Sequence, residues 1–257
     1  MSETDHAHLL EQFANAVADD LDWLAALHDQ ELTATTLAHL RARGFPDDLA
    51  LCLETPRAVA AQALMRNALE ALGDDSGPLD LDTLAVDYAA IYLNHTLRAA
   101  PNESVWLDEE ELAMQTPMFE VRAWMAKHGL AVKNWRVRPE DHLVHELEFL
   151  AYLLRLAPIQ TALTEATDFL DLHLLRWADD FSRRVAARCG TPFYAGLNAL
   201  TGCYLDELRD LIAEVTGVQR PTRAEIEARV EAKRPAAAKP ASVAVPLRYV
   251  PGMTPSW

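Results

Sequence analysis

Apolar side chains recur along this chain at spacings of three and four residues, which is the repeat of a helix that buries one face. The repeat is most regular near the start of the chain, over residues 4–28. Ala and Leu dominate the composition, and alternating runs of β-branched residues are nearly absent. The pattern therefore predicts an all-α fold. The apolar side of the first segment consists of Leu9, Leu10, Phe13, Val17, Leu21, Leu24 and Leu27.

Start and stop signals divide the chain into a series of helices. Three Thr-Pro pairs suit the N-cap and first helical positions, and several glycines suit the position just after a helix. A loop is predicted at 99–107. The predicted helices cover about 4–28, 34–43, 55–73, 81–98, 116–129, 139–156, 164–189, 191–217 and 222–234.

One connector lacks any helical period and divides the predicted helices into two groups. It covers residues 130–138, so we expect a multi-helix bundle of two helical subdomains, 1–129 and 139–234, joined by a hinge. Residues 235–257 are rich in Pro and Ala, with only scattered apolar residues. Such a composition cannot bury enough surface to offset chain entropy, so this tail is expected to be disordered.

The segment that follows the connector contains a candidate recognition pair. Pro139 suits the first helical position, and Asp141 suits the positive end of the helix dipole. Asp141 and His142 are therefore expected on the first turn of a helix, at its exposed start. A purely structural alternative stays open, because an Asp at a helix start is commonly a cap and a nearby His is commonly a surface residue.

The charge of the chain is strongly negative but unevenly spread. The net charge is −16, while residues 220–257 carry seven basic side chains against three acidic ones. An acidic body disfavours nucleic acid and anionic membrane as partners, and it suits a basic ligand such as an arginine-containing peptide. Acidity is also common among proteins without such a ligand.

Targeting and redox signals favour a cytoplasmic protein. The N-terminus lacks the basic and apolar regions of a cleavable signal, and no run of 18 apolar residues predicts a membrane span. Cys52, Cys189 and Cys203 are far apart and form no Cys-x-x-Cys pair. We expect them to be small, buried apolar residues in a reducing cytoplasm.

Catalytic patterns are weak in this sequence. Gly-rich phosphate loops are missing, and no Ser or Cys lies in a nucleophile motif. His142 and His145, three residues apart on one helix, are able to chelate a metal, but no third ligand is evident. The alternative function is therefore a metal-dependent helical hydrolase using these two histidines. The favoured interpretation is a protein without a cofactor and without catalytic residues.

Three parts of the chain resemble the TorD/DmsD family of cytoplasmic chaperones for molybdenum-cofactor redox enzymes. Residues 87–93 with 101–106 resemble the family's Tyr-x-x-Leu-Phe and Pro-x-Glu-Ser-x-aromatic patterns. Residues 139–147 resemble its Glu-Pro-x-Asp-His signature, although Arg138 stands where Glu is usual. Residues 169–181, with Phe-Tyr in the next helix, resemble its His-Leu-x-x-Trp pattern.

This resemblance implies a hinge between two helical subdomains and binding of the twin-arginine signal peptide of a molybdoenzyme precursor. Carboxylates such as Asp141 and Glu103 would accept paired hydrogen bonds from arginine, and aromatic rings would stack on it. Titration of His142 near neutral pH would make binding pH-sensitive. Nucleotide binding, and a monomer against a domain-swapped dimer, stay open. The expected binding residues are Tyr88, Tyr92, Glu103, Ser104, Trp106, Pro139, Asp141, His142 and Glu146.

Overall fold

The computed structural model describes residues 3–73 and 78–233, and within these ranges the fold is all-α, as predicted. No described residue belongs to a strand. A π-helical turn, Ala89–Leu93, continues α4, and a short 3-10 helix covers Leu174–Arg176. The α-helices are α1 (Glu3–Asp29), α2 (Ala34–Arg43), α3 (Pro56–Ala71), α4 (Pro78–Tyr88), α5 (Glu103–Leu107), α6 (Thr116–Lys127), α7 (Leu143–Leu154), α8 (Ile159–Leu172), α9 (Ala178–Ala186), α10 (Pro192–Thr216) and α11 (Arg223–Lys233).

The core is built from helices that lie far apart in the sequence. α1 packs on α7, and α3 and α9 both pack on α10. Val17 and Leu21 of α1 and Leu147 and Leu150 of α7 are fully buried. Burial of each such side chain contributes roughly 1.5–3 kcal/mol, so these contacts dominate the stability of the fold. Gly196 allows α10 to approach α3 closely, because a Cβ there would lie 3.0 Å from the Met65 Cα.

Several predicted helix ends coincide with the observed ones. Thr33 caps α2 by accepting from the Thr36 amide, and Gly44 ends that helix with a left-handed φ of 79°. Thr55 likewise caps α3, and α10 begins after Thr191. The Thr116-Pro117 pair differs, because Gln115 occupies the N-cap position of α6 and Thr116 is the first helical residue.

Three predicted elements were wrong. The helix expected to reach residue 98 ends at Leu93, before two residues with left-handed φ, His95 and Arg98. The loop expected at 99–107 contains α5. The single helix expected over 164–189 is broken at residues 173–177 into α8, the 3-10 turn and α9. The reason for that break is a set of buried side chains described below.

The predicted connector separates helices that nevertheless pack on one another, since α1 precedes residues 130–138 and α7 follows them. The proposed boundaries of two subdomains stay a prediction.

The contacts within the chain group its residues into two compact units, 1–221 and 222–257. Within the second unit, Thr222 and Glu225 cap α11 reciprocally. The expected disordered tail, 235–257, lies outside the described residues.

Buried carboxylates connect several of the packed helices. Asp171 of α8 receives two hydrogen bonds of 2.9 Å from Arg209 of α10, and both side chains are almost completely buried. Asp87 of α4 accepts from the backbone amides of Gly190 and Thr191, at 3.0 and 2.6 Å, just before α10 begins. These polar contacts set the register of α10 against its neighbours. Among the described helices, none has the length and apolar character needed to cross a bilayer.

Candidate functional site

Two segments that resemble family patterns meet through their backbones. Residues 101–103 and 141–143 form an isolated antiparallel bridge. The amides of Glu103 and Leu143 each donate across this bridge to a carbonyl at 2.9 Å. The pairing brings the Pro-Asn-Glu-Ser segment against the Asp-His segment. We call the paired segments, together with the first turn of the helix that follows each, the junction.

The Asp141 carboxylate is a central hydrogen-bond acceptor of the junction. It is fully buried, and its Oδ2 accepts from the Ser104 amide at 2.8 Å. Burial raises the pKa of Asp141, and the hydrogen bonds from Ser104 and Asn102 lower it in part. The Ser104 hydroxyl in turn accepts from the Gln115 amide at 3.2 Å. Asp141 therefore connects the start of α7, through Ser104, to the start of α6.

The expected exposed start of the helix was wrong. α7 begins at Leu143, and His142 is its N-cap, with Nδ1 accepting from the Val144 amide at 3.2 Å. Pro139 is buried in a turn before the helix, and Asp141 lies outside the first helical turn. The physical reason is the bridge to residues 101–103, which holds this segment non-helical and covers it from solvent.

Burial also changes the expected role of His142. Its imidazole is only 5% exposed, and burial lowers its pKa well below the ordinary value, with a further contribution from Arg138. The ring is therefore neutral at physiological pH, which suits its role as a hydrogen-bond acceptor at the N-cap. The expected titration of His142 near neutral pH was wrong.

A second set of buried polar groups lies where the predicted long helix is broken. His173 Nδ1 donates to Glu103 at 2.9 Å, and the Arg176 guanidinium lies 3.8 Å from the same carboxylate. Trp177 Nε1 donates to Glu146 at 3.1 Å. The break between α8 and α9 therefore directs three donors toward α5 and α7. His173 and Trp177 belong to the His-Leu-x-x-Trp pattern, which was the available signal, but their contact with Glu103 and Glu146 was not foreseen.

The Glu146 carboxyl has a strongly raised pKa. Burial, followed by the negative charges of Glu103 and Asp141, raises the pKa of Glu146 well above its ordinary value. Neither Glu103 nor Glu146 has any solvent exposure. The raised pKa favours the protonated form of Glu146 beside the Glu103 carboxylate. One carboxyl of the pair stays neutral because two adjacent buried charges would repel each other.

A pH dependence of stability follows from this raised pKa. Because folded Glu146 holds its proton where unfolded Glu releases it, its contribution is complete below the ordinary pKa of 4.5 and is lost as the pH rises above it. We expect Glu146→Gln, which keeps a neutral group of the same shape, to remove part of the fall in unfolding free energy between about pH 5 and 8. Urea unfolding across this range measures the slope. Glu214→Gln, at an exposed position of α10, is the control, and an unchanged slope in Glu146→Gln would contradict the assignment.

Two of the expected aromatic binding residues are part of the core. The Tyr92 hydroxyl donates to His28 Nδ1 at 2.6 Å and accepts from Asn198 Nδ2 at 3.3 Å. Burial lowers the pKa of His28 to about 3, so this ring is neutral and accepts at Nδ1. The Tyr88 hydroxyl donates to the Asp29 carbonyl, and the two tyrosine rings lie 4.9 Å apart. Tyr88 and Tyr92 therefore join α1, α4 and α10 rather than line an open groove.

Trp106 is the most accessible of the expected aromatic residues. Its indole N–H donates to the Ala100 carbonyl at 2.8 Å, and the ring is partly exposed. The Arg184 guanidinium already lies over this ring, 4.2 Å from its centre. A guanidinium from a ligand would have to displace Arg184 to stack on that face.

The metal-site alternative finds little support in the geometry. The rings of His142 and His145 lie 6.2 Å apart, and His142 Nδ1 is already engaged at the N-cap. His145 Nδ1 lies 3.2 Å from Glu148. Over the ranges 3–73 and 78–233, no group of three or more His, Cys, Asp or Glu side chains is placed to hold a metal ion.

Comparison with known proteins agrees with this architecture. A sequence model of the nitrate reductase delta subunit family matches residues 54–183, about half of the chain. The chaperone protein TorD of Aliivibrio fischeri is 27% identical over 194 residues, which cover 71% of this chain and 88% of that protein. The chaperone protein TorD of Vibrio cholerae is 26% identical over 208 residues, covering 75% and 90%. That of Vibrio vulnificus is 28% identical over 181 residues, covering 67% and 83%.

Within the described residues the fold is all-helical, and the matched region contains the three resembling segments up to residue 181. The chain belongs to the nitrate reductase delta subunit family, and the expected likeness to the TorD/DmsD chaperones of redox enzymes is confirmed. Its relatives are named chaperones, so the class is one of maturation chaperones and not of enzymes.

Proposed function

We propose that this chaperone acts in the cytoplasm, where it binds the twin-arginine signal peptide of a molybdopterin-dependent oxidoreductase precursor. It holds the apo-form of the catalytic subunit until the cofactor is inserted, and it then releases the precursor for export. The function is binding alone, with no covalent step. Family membership carries this proposal, supported by the buried junction that connects the resembling segments.

In this proposal, the buried members of the junction are positioning residues. Asp141, Glu103, Ser104 and Glu146 have no solvent exposure, so they hold α5 and α7 in place instead of meeting the peptide directly. Pro139, His142, Tyr88 and Tyr92 are also buried and support the same packing. Trp106, through its bond to the Ala100 carbonyl, fixes the segment 100–107, which contains α5.

The exposed residues that follow α5 have the acidic and apolar side chains that suit a twin-arginine leader. Residues 108–111 have the sequence Asp-Glu-Glu-Glu, and the three glutamates are exposed. Leu112 is 47% exposed and Phe119, on the first turn of α6, is 54% exposed. Two guanidinium groups followed by an apolar stretch suit carboxylates followed by apolar side chains. We therefore propose that the leader lies along residues 108–119.

A titration with leader peptides tests this proposal. We expect a synthetic leader of a molybdoenzyme precursor to bind the full chain, and a version with both arginines replaced by lysine to bind about tenfold more weakly, because Lys lacks the forked geometry. Isothermal titration calorimetry measures both affinities. Equal affinities, or no binding of the arginine leader, would overturn the proposal.

Titration of the leader against surface variants tests where on the protein it binds. Glu109→Gln combined with Glu110→Gln should weaken binding, and more so at low salt, because exposed charges are screened by ions. The control, Glu11→Gln combined with Glu214→Gln, removes the same charge from exposed positions on α1 and α10. If both pairs reduce the affinity equally, the effect is one of net charge and the proposed location is wrong.

A further inference from the structure

A groove beside Trp106 is lined by more basic than acidic side chains, unlike the rest of the body. Residues 1–219 contain 36 acidic and 16 basic side chains, yet three arginines line this groove of about 550 Å³. They are Arg183, Arg184 and Arg188. Val105, Trp106 and Ala187 add apolar surface between them.

Two of these arginines have no carboxylate partner among the described residues. Arg184 donates to the Arg98 carbonyl at 3.0 Å, and Arg188 donates to the Leu97 carbonyl at 2.7 Å. Neither bond neutralises the positive charge, and a guanidinium has five N–H donors, so donors remain. Arg183 differs, because it is paired with Asp179 one turn earlier.

In a second groove of comparable size, carboxylates accompany the arginines. It has a volume of about 520 Å³ and is lined by Arg41 and Arg66 together with Asp47 and Glu70. Asp47 accepts from Arg66 there at 2.7 Å, and this contact lowers the pKa of Asp47. Unpaired arginine charge therefore distinguishes the groove beside Trp106 from this second groove.

The surroundings of the arginines favour carboxylates over phosphate. Phosphate sites commonly use the free amides of a helix amino end, whereas Arg184 and Arg188 lie at and just after the carboxyl end of α9, where carbonyls and not amides are free. Glu111 and Asp180 also line the groove and disfavour a doubly charged anion. A singly charged carboxylate is compatible with two unpaired arginines beside these two acidic side chains. The apolar surface of Val105, Trp106 and Ala187 suits the side chains between successive acidic residues of a peptide.

We propose that this groove binds an acidic peptide segment of a partner protein, through Arg184 and Arg188. Their bonds to the backbone carbonyls of residues 97 and 98, and the packing of Arg184 on Trp106, hold both guanidiniums in place before binding. Little side-chain entropy is then lost when the peptide arrives. This site does not depend on leader binding, because a leader arginine would be repelled here.

A labelled peptide of alternating Glu and Leu, with blocked ends, tests the groove by fluorescence anisotropy against the full chain. We expect Arg184→Gln with Arg188→Gln to weaken its binding by at least about tenfold, and Arg41→Gln with Arg66→Gln to change it less than about twofold. Ala187→Glu provides a second variant that keeps every arginine contact, and it should weaken binding equally. Ala187 is exposed, so this change should not affect folding.

Each outcome of this experiment either supports or overturns the proposal. Loss of peptide binding in both groove variants, with the control pair unchanged, supports the proposal. No binding to the wild-type chain, or equal binding to the groove variants, overturns it. Inorganic pyrophosphate is the competitor, and its displacement of the peptide from the wild-type chain at similar concentration would identify a phosphate site instead. Glu111 lines the groove and also belongs to the leader segment 108–119, but the substituted residues 184, 187 and 188 lie outside that segment and the test peptide contains no arginine. A failure of the leader titration therefore leaves these results unaffected.

Discussion

Replacing Asp171 with alanine is expected to lower the free energy of unfolding by about 3–5 kcal/mol, the largest effect of any single substitution considered. Arg209 is completely buried, and its Nε and Nη2 each donate to Asp171 at 2.9 Å. Without the carboxylate, Arg209 keeps only its bonds of 3.2 Å to the carbonyls of Val218 and Gln219. Chemical denaturation measures the loss, which arises from a buried charge without a counter-charge.

Two further variants distinguish this explanation from a general loss of packing. Asp47→Ala breaks an exposed pair with Arg66, and it should cost no more than about 1 kcal/mol. Asp171→Leu with Arg209→Met removes both charges, and it should recover most of the stability lost in Asp171→Ala. A double variant as unstable as the single one would show that packing volume, and not the uncompensated charge, governs the effect.

Replacing Asp141 with alanine is expected to cost about 1–3 kcal/mol of stability and to weaken leader binding by about tenfold. The Ser104 amide loses its acceptor inside the protein, and the contact from Ser104 to the Gln115 amide is no longer fixed. The segment that we propose to hold the leader is then poorly placed. Thermal melting and leader titration on the same sample measure both effects.

Asp141→Asn separates positioning from direct contact. Its side-chain carbonyl still accepts from Ser104, so we expect nearly normal stability and nearly normal affinity if Asp141 only positions the junction. A well-folded Asp141→Asn protein that has lost about 1–3 kcal/mol of binding would instead show that the carboxylate itself meets a leader guanidinium.

The helices were predictable wherever local signals determine them. The apolar stripe of α1, the Thr33 and Thr55 caps and the terminal Gly44 each depend on residues within one or two turns. The break at residues 173–177 was not predictable in this way, because it serves contacts with Glu103 and Glu146, which are distant in the sequence. Local periodicity carries no information about such partners.

The pairing of the two segments agrees with the expectation that both belong to one site, whereas their burial was not predicted. The segments containing Glu103 and Asp141 were expected to lie together, and they pair directly. Their polar character suggested contact with solvent, whereas both carboxylates are fully buried. A buried carboxylate is stable only with donors nearby, and here those donors are the Ser104 amide and His173, which no local rule identifies.

The pairing of α1 with α7 has a consequence for the synthesis of this chain. α1 ends at Asp29, but α7 begins only at Leu143, so the ribosome must add more than a hundred residues before the two apolar faces can meet. At ordinary rates of translation this takes roughly ten seconds. During that interval Val17, Leu21 and Leu24 have no native partner on α7. The nascent chain therefore exposes the apolar face of α1 until α7 has been synthesised.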